Sequence, residues 1–272
     1  MPPIYIGSDT TTGSMAGPKK SLGQHWLKDR QVLAAIADDA DIKEGDTVLE
    51  IGPGLGTLTS ELLKRAKRVI AVELDEDLAA KLPGQFPGKA LEVIQQDILK
   101  YDLSNLPKNY VVVANVPYYI TSKIIKLLLG SSNKPRRIVL LVQKEVAERL
   151  AAETGQLSIL AISAQVFAEV SLGDLVPAEL FTPPPKVDSQ VVILKTRPDS
   201  LLEGIDEAEF FRVVKAGFSA KRKKLRSSIA GGLGMSKEEA EKILLKAKIN
   251  PDERAEALTI EAWLRLAQIV AS

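Results

Sequence analysis

Short apolar runs alternating with amphipathic stretches predict an α/β protein: a parallel sheet wound on both faces, followed by a small all-helical part. Three observations carry this reading. Five runs of strand length lie at Thr47–Ile51, Arg68–Glu73, Leu91–Gln95, Tyr110–Ala114 and Arg136–Val142. Helical patterns lie between most of them, at Thr57–Arg65, Glu76–Lys81, Ser122–Leu129 and Lys144–Glu153. Beyond Arg197-Pro198 only helical patterns remain.

The other elements follow in chain order. A helix over Asp29–Ala40 precedes the first strand. After Gly155 the pattern changes: a helix over Leu157–Val166, a short strand over Glu169–Leu172, a Pro-rich connection from Pro177 to Pro185, and a strand over Val187–Lys195. Two late strands joined by a loop would close the sheet with an antiparallel pair. Helices are then expected over Glu207–Ser219, Lys221–Ala230, Lys237–Lys248 and Ile260–Val270. The expected divisions are a loose Gly/Ser/Thr-containing tail over 1–20, a catalytic domain over 21–197 and a helical domain over 198–272.

Composition excludes several classes of chemistry. The 272 residues contain no cysteine and one histidine, His25. Disulfides, thiolate metal sites, iron–sulfur clusters and cysteine nucleophiles are therefore absent, and no metal is expected. No apolar run approaches the ~18 residues of a membrane helix. The N-terminus lacks a basic region followed by an apolar one, so it is not expected to be a secretory signal, and a cytoplasmic monomer is the default. The formal net charge is +1, yet Lys221, Arg222, Lys223, Lys224 and Arg226 form a run without an acid. A near-neutral total can conceal a basic face.

"VLEIGPGLGTL" places Gly52, Gly54 and Gly56 directly after the first long strand and before a helix. Glycines there permit positive φ and close backbone approach to a ligand. Glu73 closes the next strand 21 residues after Gly52, near the ~20-residue spacing at which an acid meets ribose hydroxyls. The alternative is a tight turn with no ligand. Thr57 stands where the dinucleotide fingerprint wants its third glycine, and no partner for a pyrophosphate is evident. Asp97, in "QQDIL", sits where a carboxylate can accept from an adenine amine. Ribose acid plus adenine acid without pyrophosphate machinery suits S-adenosylmethionine better than a nicotinamide dinucleotide.

"VVVANVPYYI" begins as a buried strand and is stopped by Pro117, which cannot donate to a ladder. Asn115 offers a carbonyl acceptor at the crevice where open α/β sheets bind ligands. Val116 precedes a proline and is held extended, which aims its own carbonyl. Two adjacent acceptors fit an exocyclic amine. The lone pair of adenine N6 is delocalised into the ring. Accepting both N–H bonds favours a pyramidal nitrogen that can attack a sulfonium methyl. Tyr118 adds a face on which a base can stack, worth ~1–3 kcal/mol, and a base inside a duplex would first have to be flipped or already unpaired. The alternative is a Pro-terminated strand with two core tyrosines, which Tyr119 fits better than Tyr118.

The blocks "SLGQHWL", "EIGPGLG", "VELD", "QQDIL", "NVPYYI", "LLVQKEVAERL" and "FTPPPKVDS" occur in order across Ser21–Ser189. Together they closely resemble the ribosomal RNA adenine N6,N6-dimethyltransferases of the small-subunit type, and the resemblance continues more weakly into the helical tail. It implies a Rossmann-like seven-stranded methyltransferase sheet with a helical C-terminal domain. The implied partner is the small ribosomal subunit, with two adjacent adenosines in the loop of the last helix of its RNA as substrate. By matching position, His25, Leu27, Gly52, Gly54, Glu73, Asp97, Ile98 and Asn115 would contact S-adenosylmethionine or line its pocket. Asn115, Val116, Pro117 and Tyr118 would form the catalytic turn, Tyr118 stacking on the target adenine with Phe181 on its other side. The family usually has Asn-Phe where this chain has His25-Trp26, Leu in place of Val116 and often Asn in place of Tyr119.

Relatives that modify large-subunit RNA in antibiotic resistance share the glycine loop and the Asn-x-Pro-Tyr turn. "SLGQ" and "TPPPKVDS" stand closer to the small-subunit type. An assembly factor acting mainly by RNA binding is a further alternative. The basic run reads as phosphate contact, which orients RNA without reading sequence, or else as a solvated helix face. Lys19, Lys20, Arg136 and Arg137 are candidates to extend it.

Overall fold

The computed structural model describes residues 17–19 and 23–271. The expected loose tail over 1–20 therefore falls, except for residues 17–19, outside the described residues, as does Lys20. In chain order the elements are β1 (Trp26–Leu27), α1 (Arg30–Asp39), β2 (Thr47–Ile51), α2 (Thr57–Leu62), β3 (Arg68–Glu73), α3 (Glu76–Gln85) and β4 (Leu91–Gln95). There follow β5 (Val111–Asn115), α4 (Thr121–Gly130), β6 (Arg137–Gln143), α5 (Lys144–Leu150), α6 (Ile159–Gln165), β7 (Ala168–Val176), β8 (Phe181–Thr182) and β9 (Ser189–Thr196). The C-terminal part holds α7 (Glu207–Gly217), α8 (Leu225–Leu233), α9 (Lys237–Lys246) and α10 (Ile260–Ala271).

Seven strands form one sheet in the order β4-β3-β2-β5-β6-β9-β7. The first five are parallel, and β9 runs antiparallel to both β6 and β7. The expected antiparallel closure is thus present. Strands buried on both faces read as unbroken apolar runs, and successive side chains go to opposite faces. Val48, Val69, Val111, Val113 and Val139 pack on one face under α1 and α2 with Leu33, Ile36, Leu58 and Leu62. Leu49, Ile70, Val112, Ile138 and Leu140 pack on the other. That second cluster runs on without a break through Phe167 and Phe210 to Trp263 of the helical part. Each such side chain contributes on the order of 1.5–3 kcal/mol through burial.

Several helix ends shift by a few residues from the sequence expectation, and three larger departures bear on the site and the basic run. The two-residue pair β1–β8, with Leu27 opposite Phe181, is too short to leave a periodic signal. β7 runs to Val176, well past the expected Leu172, because a register shift between Leu172 and Leu175 absorbs Gly173 and Asp174. Such an irregularity breaks the alternation by which strands are read. Helix α8 begins at Leu225, so Lys221–Lys224 lie in the turn before it. Leu225 is the first residue there with an apolar side chain to bury, and like charges crowded into one helical turn repel.

Candidate active site

Strand order reverses where β2 lies between β3 and β5, and in open α/β sheets the crevice at this point takes the ligand. The pocket lies there. Its lining joins the glycine loop, the ends of β3 and β4, the turn after β5 and the segment Gly23–Leu27. Gly54 has φ +56°, and its backbone N–H donates to Glu73 Oε2 at 3.0 Å. Gly56 has φ +79°. A Cβ added there would come within 2.7 Å of Leu82 Cδ1, so the left-handed backbone and this close approach both favour glycine at that place. The Thr57 hydroxyl ties the following turn to the Leu27 carbonyl at 3.0 Å.

Among the described residues three acids line this pocket, and no lysine or arginine does. Glu73 is 6% exposed; its two oxygens accept from the N–H groups of Gly54 and Asp75 at 3.0 and 2.9 Å. Burial pushes its carboxyl up, against those backbone donors, which pull it down. Each oxygen keeps a lone pair for a ribose hydroxyl. Asp97 caps the turn after β4 by accepting from Leu99 N at 2.9 Å, which leaves its second oxygen open beside Ile98.

The third acid, Glu50, is passed over by sequence reading. Its only signal is a charge inside "VLEI", a strand buried on both faces. It is 1% exposed, and neither oxygen has a hydrogen-bond partner among the described residues. Burial pushes its carboxyl up to about 8, helped by the nearby Glu73; the neighbouring Thr59 hydroxyl opposes the shift without reaching hydrogen-bond geometry. Trp26 Nε1, in the same lining, is a buried donor that also lacks a partner among the described residues. A ligand with one cationic and one anionic end would satisfy both.

A raised carboxyl pKa destabilises the fold as pH rises. Below the ordinary value of 4.5 both states hold the proton; the penalty builds above it and is complete above about 8. Glu50→Gln should therefore match wild type near pH 4.5 and melt about 5 °C higher near pH 8, while binding cofactor more weakly. Thermal scans across this range check it; a gap in Tm that does not widen with pH would show that Glu50 is not held protonated.

The turn after β5 is organised around Asn115. Asn115 Nδ2 donates to the His25 carbonyl at 3.2 Å. A carbonyl only accepts, so the amide orientation is settled and Oδ1 is left as the free acceptor. Val116 is buried, and Pro117 starts a 3-10 turn over Tyr118–Ile120. The Tyr118 hydroxyl is 2.8 Å from Ser189 Oγ, and burial raises its pKa while the Ser189 contact lowers it. The His25 and Tyr118 rings are stacked within 16°, centroids 6.0 Å apart.

Of the expected site residues, His25, Leu27, Gly52, Gly54, Glu73, Asp97, Ile98, Asn115, Val116, Pro117 and Tyr118 meet in this one pocket. Phe181 does not. It is 3% exposed and packs in the core beside Leu27 and Leu33, so its ring offers no face to a base in this arrangement. Tyr119 is also corrected: it is 62% exposed at the pocket rim, not a core tyrosine.

The basic residues separate into two groups. Lys221, Arg222 and Lys223 are exposed, and none makes an ion pair among the described residues. Lys224 pairs with Asp252 at 2.9 Å, and Arg226 reaches Asp252 at 3.2 Å and Glu241 at 3.7 Å. Three candidates for a wider basic surface are committed elsewhere. Lys19 is bridged to Asp75 and Asp77, Arg136 to Asp46, and Arg137 Nε donates to the Asp39 carbonyl. Among the described residues no helix is long and apolar enough to cross a membrane, and no cluster of His, Asp and Glu could hold a metal.

Comparison with known proteins agrees with this geometry. The family described as ribosomal RNA adenine dimethylase matches residues 16–272. A ribosomal RNA small subunit methyltransferase A of Dehalococcoides mccartyi is 43% identical over 254 residues, covering 91% of this chain and 87% of its own. A protein of the same name from Bacillus mycoides is 40% identical over 261 residues, covering 91% and 89%. Among solved structures, a dimethyladenosine transferase from Plasmodium falciparum superposes with a TM-score of 0.78 at 31% identity, covering 89% of this chain and 96% of its own. The 23S rRNA methyltransferase ErmE gives 0.73 at 28%, covering 91% and 100%. With its seven-stranded sheet, its acid-lined pocket and its match over nearly the whole length, this chain belongs to the ribosomal RNA adenine dimethylase family.

Proposed function

We propose that the protein dimethylates the N6 amines of two adjacent adenosines in the 3′-terminal hairpin loop of small-subunit ribosomal RNA, using S-adenosylmethionine, during maturation of that subunit in the cytoplasm. The observation that carries the reading is a pocket lined, among the described residues, by three acids and by no lysine or arginine, opening onto the Asn115–Tyr118 turn. A pyrophosphate finds no cation there, which counts against a nicotinamide dinucleotide. A ligand with a sulfonium, an ammonium and a ribose diol is complementary to it. Glu73 would take the ribose hydroxyls, Asp97 and Ile98 the adenine, and Glu50 with Trp26 Nε1 the amino-acid end. The backbone of Gly52, Gly54, His25 and Leu27 would close the walls. When bound, this cofactor supplies a methyl group made electrophilic by its sulfonium.

The chain's own residues prepare the amine. Asn115 Oδ1 and the Val116 carbonyl accept the two N–H bonds of the unmodified amine, and one of them accepts the single N–H left for the second transfer. This draws the nitrogen lone pair out of conjugation with the base. Each transfer ends with a proton passing from the methylated nitrogen to water. Pro117 holds the turn, and Tyr118 supports the base. No metal is called for. The small-subunit assignment is favoured over the large-subunit one by the relatives named small subunit methyltransferase A, at 40–44% identity, against 28% for the ErmE structure. Residues 21–197 would carry the chemistry and 198–272 the RNA contacts, in a protein acting as a monomer. Undermethylated small subunits incubated with labelled cofactor, then mapped by mass, should carry label on the two hairpin adenosines. Calorimetry should show binding of S-adenosylhomocysteine and none of NADH; the reverse would overturn the reading.

Lys221, Arg222 and Lys223 are proposed to contact phosphates. Replacing all three by Gln should weaken RNA binding and reduce the slope of log K against log salt by about 2. Adding Lys224→Gln should do little more, because Asp252 already neutralises it. An unaltered slope in the triple variant would make the run only a solvated turn.

A further inference from the structure

We infer that Glu50 couples cofactor binding to proton release: its carboxyl is neutral in the free protein and ionises when the ammonium end of the cofactor docks against it. The inference rests on the function proposed above and adds to it a change of charge on one side chain. Glu50 sits in mid-strand on β2, opposite Ala71 of β3 and Val113 of β5. Sealed from water, both its oxygens lack a hydrogen-bond partner among the described residues. In such a place a carboxylate is far costlier than a carboxylic acid, so the proton stays on. The surroundings offer no cation to change that. α1 buries Leu33, Ile36 and Ala37 toward the sheet, and α2 buries Leu58, Thr59 and Leu62. β3 supplies Glu73, which repels a second negative charge. The other titratable side chains in the lining are His25, Asp97, Tyr118 and Tyr119, with no lysine or arginine among the described residues. Burial first, and Glu73 with it, pushes the Glu50 carboxyl up to about 8.

Which end of the cofactor Glu50 meets follows from its neighbour. A Cβ on Gly54 would lie 3.6 Å from Trp26 Nε1, so the indole rests on the glycine loop that follows Glu50. An indole N–H only donates, and this one is buried without an acceptor among the described residues. It suits a carboxylate. The ammonium is left for Glu50, and a cation beside a buried acid favours the ionised form. The step balances: the Glu50 carboxyl gives its proton to water, and the ammonium neutralises the carboxylate left behind. Affinity therefore rises with pH, about 10-fold per unit, while Glu50 of the free protein still holds its proton. The rise ends near pH 8, where free Glu50 ionises and the cofactor's own α-amino group begins to lose its proton.

Calorimetric titration of the full-length protein with S-adenosylhomocysteine near pH 6.5, in buffers of different ionisation enthalpy, counts the protons exchanged. Wild type should release about one proton per ligand, and its Kd should fall roughly 10-fold between about pH 6 and about pH 7. 5′-Methylthioadenosine keeps the adenine and the ribose but has no amino-acid end. Its binding to wild type should release fewer than ~0.3 protons and leave Kd level across the same range. Glu50→Gln should bring the release with S-adenosylhomocysteine below ~0.3 as well. Wild-type binding of S-adenosylhomocysteine with less than ~0.3 protons released, or with protons taken up, would overturn the coupling and leave the cofactor reading intact. A full proton released with 5′-methylthioadenosine, or by Glu50→Gln, would also overturn it, by placing the proton on another acid such as Glu73. A wild-type protein that binds NADH and not S-adenosylhomocysteine would overturn the cofactor reading, and the coupling with it.

Discussion

Asn115→Ala should lower the rate of methyl transfer about 100-fold or more while changing RNA affinity less than about 2-fold. Removing one preorganised polar group aimed at the reacting atoms typically costs 10²–10³ in rate. RNA affinity is dominated by phosphate contacts elsewhere. The structure sharpens the reason: Nδ2 is spent on the His25 carbonyl at 3.2 Å, so the free oxygen is the group presented to the amine. Alanine removes that acceptor and also releases the His25 segment. Single-turnover transfer to undermethylated subunits, paired with filter binding, measures both quantities. A normal rate would end the two-acceptor account of the turn. Its companion Tyr118→Ala should also be severe, whereas Tyr118→Phe keeps the ring, loses only the bond to Ser189, and should retain most activity. A dead Tyr118→Phe would shift the working group from the face to the hydroxyl.

Glu73→Gln should weaken S-adenosylmethionine binding by roughly 1.5–3 kcal/mol, the scale of hydrogen bonds to a charged group. Glutamine is the informative change. Alanine would also strip the Gly54 and Asp75 N–H groups of their acceptors and confuse binding with stability. Glutamine keeps one oxygen and replaces the other with a donor. That donor faces either a backbone N–H or a ribose hydroxyl, and both are poorer partners for it. Calorimetry with S-adenosylhomocysteine reads the effect. Unchanged affinity with unchanged Tm would take Glu73 out of the cofactor site and leave it as a brace for the glycine loop.

Most of the sheet and most of the pocket were legible in the sequence, for reasons specific to each residue. Parallel strands buried on both faces must be continuous apolar runs, so β2, β3 and β5 stood out with ends within a residue of those observed. Gly52, Gly54 and Gly56 were legible because positive φ at a strand-to-helix turn selects glycine, and Pro117 because it must end a strand. The alternative of a core tyrosine, which Tyr119 fitted better than Tyr118, does not hold: in the 3-10 turn over Tyr118–Ile120 it is 62% exposed. The basic run was legible as a run, but not as three cations without an ion pair among the described residues and two that have one.

By itself the sequence determined the fold class, the glycine loop with its matched acid, and the Asn-Val-Pro-Tyr turn, since each depends on local backbone demands or on a period of two or 3.6. Only the tertiary structure decided which side chains share the pocket and in what state. Phe181 lies in the core beside Leu27, outside the pocket lining, on a strand paired to β1. Arg136 and Arg137 left the basic surface because the end of β6 meets the acidic segment after α1. Glu50 entered the site, and is held near a pKa of about 8, because the central strand that carries it is sealed on both faces. His25 and Tyr118 came face to face across 93 positions of sequence. Burial, charge neutralisation and ring spacing are sums over neighbours brought together from distant parts of the chain, and no local pattern encodes them.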